Sequence, residues 1–173
     1  MLTAIMSTSV LIADDHVVVR RGLRALFESE ADLTVAGEAC DGLEALDLVV
    51  RLRPDVRVLD LVLPDFSGMT VLEQLADRQA PTRVVVLSMY AGDADVAEAL
   101  RHAAVGYVVK DASASELVQA VHYAARNERF LSSPLSEAHQ GVCRQPASSP
   151  PREDGYDALT ARDREVVLLT LEV

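Results

Sequence analysis

Val56 to Gly68 reads VRVLDLVLPDFSG, an apolar run that stops on a carboxylate, Asp60, and then passes through a Pro-x-x-x-Gly turn from Pro64 to Gly68. A short apolar run bounded by turn signals is the pattern of a buried strand. It need not alternate with polar residues, because a strand covered on both faces by helices has no wet side. Arg57 is the misfit, a charge inside what should be the most buried strand, and it is expected near that strand's outer end.

Four further runs share the pattern: VLIAD ending at Asp14, LTVAGE from Leu33 to Glu38, RVVVLS ending at Ser88, and VGYVVK ending at Lys110. Between them the period changes to that of helices. Val19, Leu23, Leu26 and Phe27 form one stripe, and Leu117, Val121, Ala124 and Ala125 another. Ser113 with Glu116 is a capping box, and Asp41 with Glu44 a weaker version of one. Strand and helix alternating five times implies parallel strands joined by right-handed crossovers, since a parallel neighbour is reached only through a long connection. The fold class is therefore α/β with a doubly wound, five-stranded parallel sheet. Ligand sites in such sheets lie beyond the carboxyl ends of the strands. Asp14 and Asp15, Asp60, Ser88 and Lys110 all stand at such ends.

Composition sets the limits on function. The 173 residues hold one ordinary domain and an attachment. A net charge of −11 disfavours non-specific attraction to a polyphosphate backbone. The two cysteines, Cys40 and Cys143, are too few for a disulfide framework. No apolar run reaches the roughly 20 residues of a membrane span, and the first residues lack the pattern of a secretion signal. A cytoplasmic protein without membrane contact is expected. After Phe130 the sequence turns to serine and proline without hydrophobic period, which reads as a linker. Periodicity returns in LTARDREVVLLTLEV, where Leu159, Val166 and Leu169 could share a helix face.

Three carboxylates at one sheet edge repel one another, by about 4 kcal/mol for a pair near 4 Å at an effective dielectric of about 20. Magnesium is the natural counter-charge, because it accepts a few carboxylate oxygens and readily shares a phosphoryl oxygen. Asp14 and Asp15 would bind it. Asp60 would be a third ligand and the nucleophile that takes a phosphoryl group. Lys110 and the Ser88 hydroxyl would contact the phosphoryl oxygens. Taken singly, each residue has a plainer role: a helix cap for Asp14 or Asp15, a loop hydroxyl for Ser88, a solvated charge for Lys110. The case rests on their joint order. No histidine stands out as a phosphoryl donor or at metal-ligand spacing, and His16 begins the first helix.

The segments IADDH, PDVRVLDLVLPDFSG, VLSMY, GYVVKDAS and LTARDREVVLL together resemble the response regulators of two-component signalling, in the NarL/LuxR-like subgroup. The resemblance implies a flavodoxin-like (CheY-like) strand order of 2-1-3-4-5. It implies a receiver over residues 8–131, a linker over 132–156, and over 157–173 the beginning of a truncated helix-turn-helix DNA-binding domain. It makes Asp60 the phospho-acceptor, Asp14, Asp15 and the main-chain carbonyl of Val62 the other magnesium ligands, Ser88 the switch hydroxyl, Tyr107 the switch aromatic and Lys110 the phosphoryl contact. A sensor histidine kinase is the implied partner, with homodimerisation on phosphorylation. Only the first effector helix falls within the sequence, so specific DNA binding is expected of the full-length parent and not of this chain. The subgroup's fourth helix ends near a glycine, where this chain has Ala103. Ala161 and Asp163 stand where proline and glutamate are usual.

Two other readings compete. A magnesium-dependent phosphohydrolase of the haloacid dehalogenase type also uses an aspartate nucleophile on a doubly wound sheet, but its DxDx[TV] motif follows the first strand. A receiver with a vestigial acid cluster would act only as an interaction module. On the leading reading the chain is not an enzyme beyond its own phosphorylation and dephosphorylation.

Overall fold

The computed structural model describes residues 7–78, 81–90, 92–133 and 135. Strands and helices alternate as β1 (Thr8–Ala13), α1 (Val17–Glu28), β2 (Leu33–Ala39), α2 (Gly42–Leu52), β3 (Val56–Asp60), α3 (Gly68–Asp77), β4 (Arg83–Ser88), α4 (Asp93–Arg101), β5 (Ala104–Val109), α5 (Ala114–Ala125) and β6 (Phe130–Leu131). The sheet is parallel, in the order β2-β1-β3-β4-β5-β6. The expected order of the first five strands holds. The expected count does not, because β6 adds a short sixth strand that pairs Gly106 with Phe130 and Tyr107 with Leu131.

Side-chain alternation divides the core into two layers. Val10, Ile12, Val56, Val58, Val85 and Leu87 face α1 and α5, which contribute Leu23, Phe27, Leu117 and Val121. Leu11, Leu59, Val84 and Val86 face α2, α3 and α4, which contribute Leu46, Val49, Val71, Leu72, Val96 and Leu100. Full burial of such side chains stabilises by roughly 1.5–3 kcal/mol each. Of the two stripes read from the sequence, Leu23, Phe27, Leu117, Val121 and Ala124 are buried, whereas Ala125 is exposed.

Helix ends follow local chemistry. Ser113 and Glu116 form the full capping box on α5. Asp41 accepts from the Glu44 amide at the start of α2, while the Glu44 carboxylate returns to the Cys40 amide at 2.8 Å, one residue earlier than in a capping box. After α4 comes Ala103 with φ 68°, so the turn usually taken by glycine is made here by an alanine in the left-handed region.

Arg57 corrects an expectation. It is the second residue of β3 but has no solvent exposure, and its guanidinium nitrogens have no hydrogen-bond partner among the described residues. Its register neighbours are Leu11 and Val84. Burial pushes its pKa down to about 9. Among the described residues no helix is long and apolar enough to cross a membrane. The helix expected over 157–173, and most of the linker, lie outside the described residues.

Candidate functional site

The site is assembled at the carboxyl edge of β1, β3, β4 and β5. Asp60 is the last residue of β3 and is only 3% exposed, since the strand is paired on both sides. The chain then turns sharply, with Val62 N–H donating to Asp60 Oδ1 at 3.0 Å. Gly68 allows this turn. Its N–H donates to the Leu61 carbonyl at 2.9 Å, and a Cβ there would stand 2.2 Å from the Asp60 carbonyl oxygen and 2.6 Å from Leu61 Cα. The Pro-x-x-x-Gly signal therefore reports a close approach of α3 to the backbone that carries Asp60.

Asp14 follows β1 and is 1% exposed. One of its oxygens caps the next turn, with His16 N–H donating to Oδ1 at 2.8 Å. Its other oxygen faces Lys110. The Lys110 ammonium, carried just past β5, donates to Asp14 Oδ2 at 2.7 Å and to Asp60 Oδ2 at 2.5 Å. Asp14 thus holds the turn before α1 and takes a place in the site, but it does not cap the helix, whose N-cap is His16 without a side-chain cap bond. Asp15 adds a third carboxylate: ligand atoms of Asp14, Asp15, His16 and Asp60 all lie within 4.8 Å of one another.

Charge dominates this pocket, where one ammonium bonds two of three clustered carboxylates. Burial raises the Asp60 pKa, and Asp14 adds to the effect, against the opposing pull of Lys110 and the Val62 amide. Burial would lower Lys110, but its hydrogen bonds to Asp14 and Asp60 outweigh that and hold its proton more tightly. Asp15 Oδ1 is buried and accepts no hydrogen bond, although His16 Nδ1 lies 2.6 Å away. A buried carboxylate oxygen without a donor, in a cluster of excess negative charge, fits a hard divalent cation with oxygen ligands.

Ser88 and Tyr107 lie beside this pocket. Ser88 ends β4 and is fully buried, with its hydroxyl accepting from Tyr90 N–H at 3.1 Å. Tyr107 is also fully buried, and its hydroxyl donates to the Tyr90 carbonyl at 2.9 Å. The β4–α4 loop is therefore held at Tyr90 from both sides. Lys110 N–H donates to the Ser88 carbonyl at 2.8 Å, tying the two strand ends together.

Every residue named from the sequence is present at this edge. Val62 contributes its amide to Asp60. Two residues were missed. His16 joins the acid cluster, and its position directly after the acid pair was the available signal. Arg20 donates to the Asp14 carbonyl at 2.7 Å and pairs with Glu38 at 3.3 Å, clamping the turn after β1 to β2. An arginine one turn into a helix carries no sequence mark of such a role.

Comparison with known proteins agrees with the geometry. The family model for the response regulator receiver domain matches residues 10–122. The nitrate/nitrite response regulator protein NarL of Escherichia coli K12 is 34% identical over 161 residues, covering 93% of this chain and 74% of that protein. A LuxR-family two-component response regulator from Aurantimonas sp. SI85-9A1 superposes with a TM-score of 0.74 at 31% identity, over 79% of this chain and 99% of that one. The isolated receiver domain of RcsB from Salmonella enterica serovar Typhimurium, solved with the phosphomimetic BeF3−, gives a TM-score of 0.71 at 25% identity, over 76% and 97% of the two chains. These relatives support the signalling reading over the phosphohydrolase one. With its doubly wound sheet and its acid pocket closed by a lysine, the chain belongs to the response regulator receiver family, in the NarL/LuxR branch of two-component regulators.

Proposed function

We propose that Asp60 is the phospho-acceptor and that its phosphorylation by a sensor histidine kinase controls a DNA-binding transcription regulator. The observation that carries this is the placement of one buried carboxylate, Asp60, at a strand end where it meets both a second buried acid and the Lys110 ammonium. A carboxylate oxygen of Asp60 attacks phosphorus in line. The bond from phosphorus to the donor atom breaks, and its electron pair leaves with the donor. Lys110 exchanges its contact with Asp60 for the new phosphoryl oxygens, and the Ser88 hydroxyl turns from Tyr90 to donate to another. Asp14, Asp15, Asp60 and the Val62 main-chain carbonyl would hold magnesium. When bound, that ion supplies positive charge against the phosphoryl oxygens.

The switch follows from the same contacts. Drawing Ser88 toward Asp60 removes the acceptor of the Tyr90 amide, and Tyr90 is also where the Tyr107 hydroxyl is anchored. The loop and the Tyr107 ring are thus biased together, which is how a local charge can repack the α4–β5 surface. Phosphorylation would promote homodimerisation, and DNA recognition would belong to the full-length parent. We further propose a receiver over 8–131, a linker over 132–156, the start of the effector over 157–173, a cytoplasmic location, and no turnover beyond the protein's own phosphorylation and dephosphorylation.

Incubation with magnesium and acetyl phosphate, read by intact mass, is the test. One added phosphoryl group that Asp60→Asn or chelation of the metal abolishes is the expected result. Absence of labelling under all magnesium conditions would identify a vestigial pocket, and sustained turnover of phosphate monoesters an enzyme.

A further inference from the structure

The chain does not leave the domain at the end of α5. It turns through Asn127, in the left-handed region at φ 59°, and returns along the outer edge of β5. Phe130 packs on Tyr123 of α5, ring centroids 5.5 Å apart, and Leu131 is buried beside β5. Ser132 then makes two bonds to β5. Its N–H donates to the Tyr107 carbonyl at 3.0 Å, and its hydroxyl accepts from Val109 N–H at 3.3 Å. Ser133 donates through N–H and hydroxyl to Glu116 Oε1, at 2.8 and 2.6 Å, and Leu135 is buried. Leu131, Leu135 and Tyr107 belong to one core cluster, together with Val96, Ala99 and Leu100 of α4.

The same residue whose hydroxyl is held by the β4–α4 loop is thus bonded, through its carbonyl, to the chain that runs on toward residue 136. Were the Tyr107 ring to swing out, the cluster that seats Leu131 and Leu135 would lose its largest member, and close-packed cores do not tolerate such a void. We propose that residues 130–133 with Leu135 form an output strap: it binds tightly when the Tyr107 ring is buried, loosens when the ring leaves, and passes that difference to the residues beyond it, with Ser132 as its positioning residue. This rests on the reading of Asp60, Ser88 and Tyr107 as a phosphoryl-controlled switch, in which drawing Ser88 and its loop toward the phosphoryl group leaves the space that the Tyr107 ring fills, so that the phosphoryl state favours the buried ring. Coupling of this kind is reciprocal, so loosening the strap must weaken binding of a phosphoryl mimic at Asp60.

The experiment uses the full chain with magnesium, with and without beryllofluoride, and reads amide hydrogen exchange and beryllofluoride affinity. Bound beryllofluoride is expected to slow exchange at the Ser132 and Val109 amides by roughly fivefold or more, leaving the β2 amides unchanged. Ser132→Ala is expected to weaken beryllofluoride binding by a similar factor, with Ser132→Thr restoring it. Should Ser132→Ala not fold, the exposed Ser133→Ala, which removes the hydroxyl bond to Glu116, should weaken binding in the same direction. If acetyl phosphate labels Asp60 but exchange and affinity do not move, the strap is a passive edge strand and the phospho-acceptor reading survives alone. A chain that takes up neither group overturns both.

Discussion

Lys110 Nζ lies 2.5 Å from Asp60 Oδ2, joining residues 50 positions apart at the floor of the acid pocket. Removing one partner of a buried pair leaves the other charge uncompensated, at about 3–5 kcal/mol. Lys110→Met should therefore lose on the order of 3 kcal/mol at neutral pH without magnesium. The loss should shrink in acid. Burial raises Asp60 above its unfolded value, so its contribution is most favourable where the carboxyl is protonated and is lost as pH rises through the folded pKa. Urea denaturation of both proteins across the acid range checks this, and a pH-independent difference would contradict it.

Magnesium should stabilise the folded chain, by about 2.7 kcal/mol at a hundredfold excess over its dissociation constant. Asp15→Asn removes a carboxylate whose Oδ1 accepts no hydrogen bond, and should sharply reduce the magnesium-dependent rise in Tm. Asp47→Asn, on an exposed face of α2, should leave it intact. Thermal unfolding with and without the metal distinguishes the two.

Arg57→Met should raise stability, by about 1–4 kcal/mol on the precedent of buried charges replaced by apolar side chains. The guanidinium is wholly buried without a hydrogen-bond partner among the described residues. Its pKa of about 9 lies below the ordinary guanidinium value, so above about 9 the unfolded chain binds more protons than the folded one. Native stability should consequently gain on the variant as pH climbs past about 9, and the advantage of Arg57→Met should narrow there. A variant less stable than the parent at neutral pH would mean that the charge has a partner of its own.

Gly68→Ala would push a methyl group into the backbone just after β3. Overpacking of this kind typically costs about 1–3 kcal/mol. Because the displaced atoms belong to Asp60 and Leu61, labelling by acetyl phosphate should slow along with the fall in Tm. Gly22→Ala, where nothing lies within 4 Å of the added carbon, should do neither.

The strands and the pocket were legible because both depend on short-range signals. Apolar runs such as Val56 to Leu59 end abruptly at a polar residue, and parallel topology then brings those ends together at one sheet edge. What escaped the sequence depends on tertiary pairing. Phe130 and Leu131 have no strand period of their own and become β6 only because Gly106 and Tyr107 offer open backbone groups. Arg57 could be recognised as a misfit, but its depth depends on how β1 and β4 flank it. Arg20 carried no mark as a site residue because its role lies in a backbone carbonyl, whereas His16, directly after the acid pair, was read only as the start of the first helix.

Ala103 sits exposed at the exit of α4 with its backbone wound the wrong way for an L-residue, a conformation that costs an alanine roughly 1 kcal/mol more than a glycine. The heat tolerance of the whole domain is therefore set in part by one methyl group that touches neither core nor pocket. Anyone wishing to harden this protein for use could begin there, with a glycine at the turn between α4 and β5.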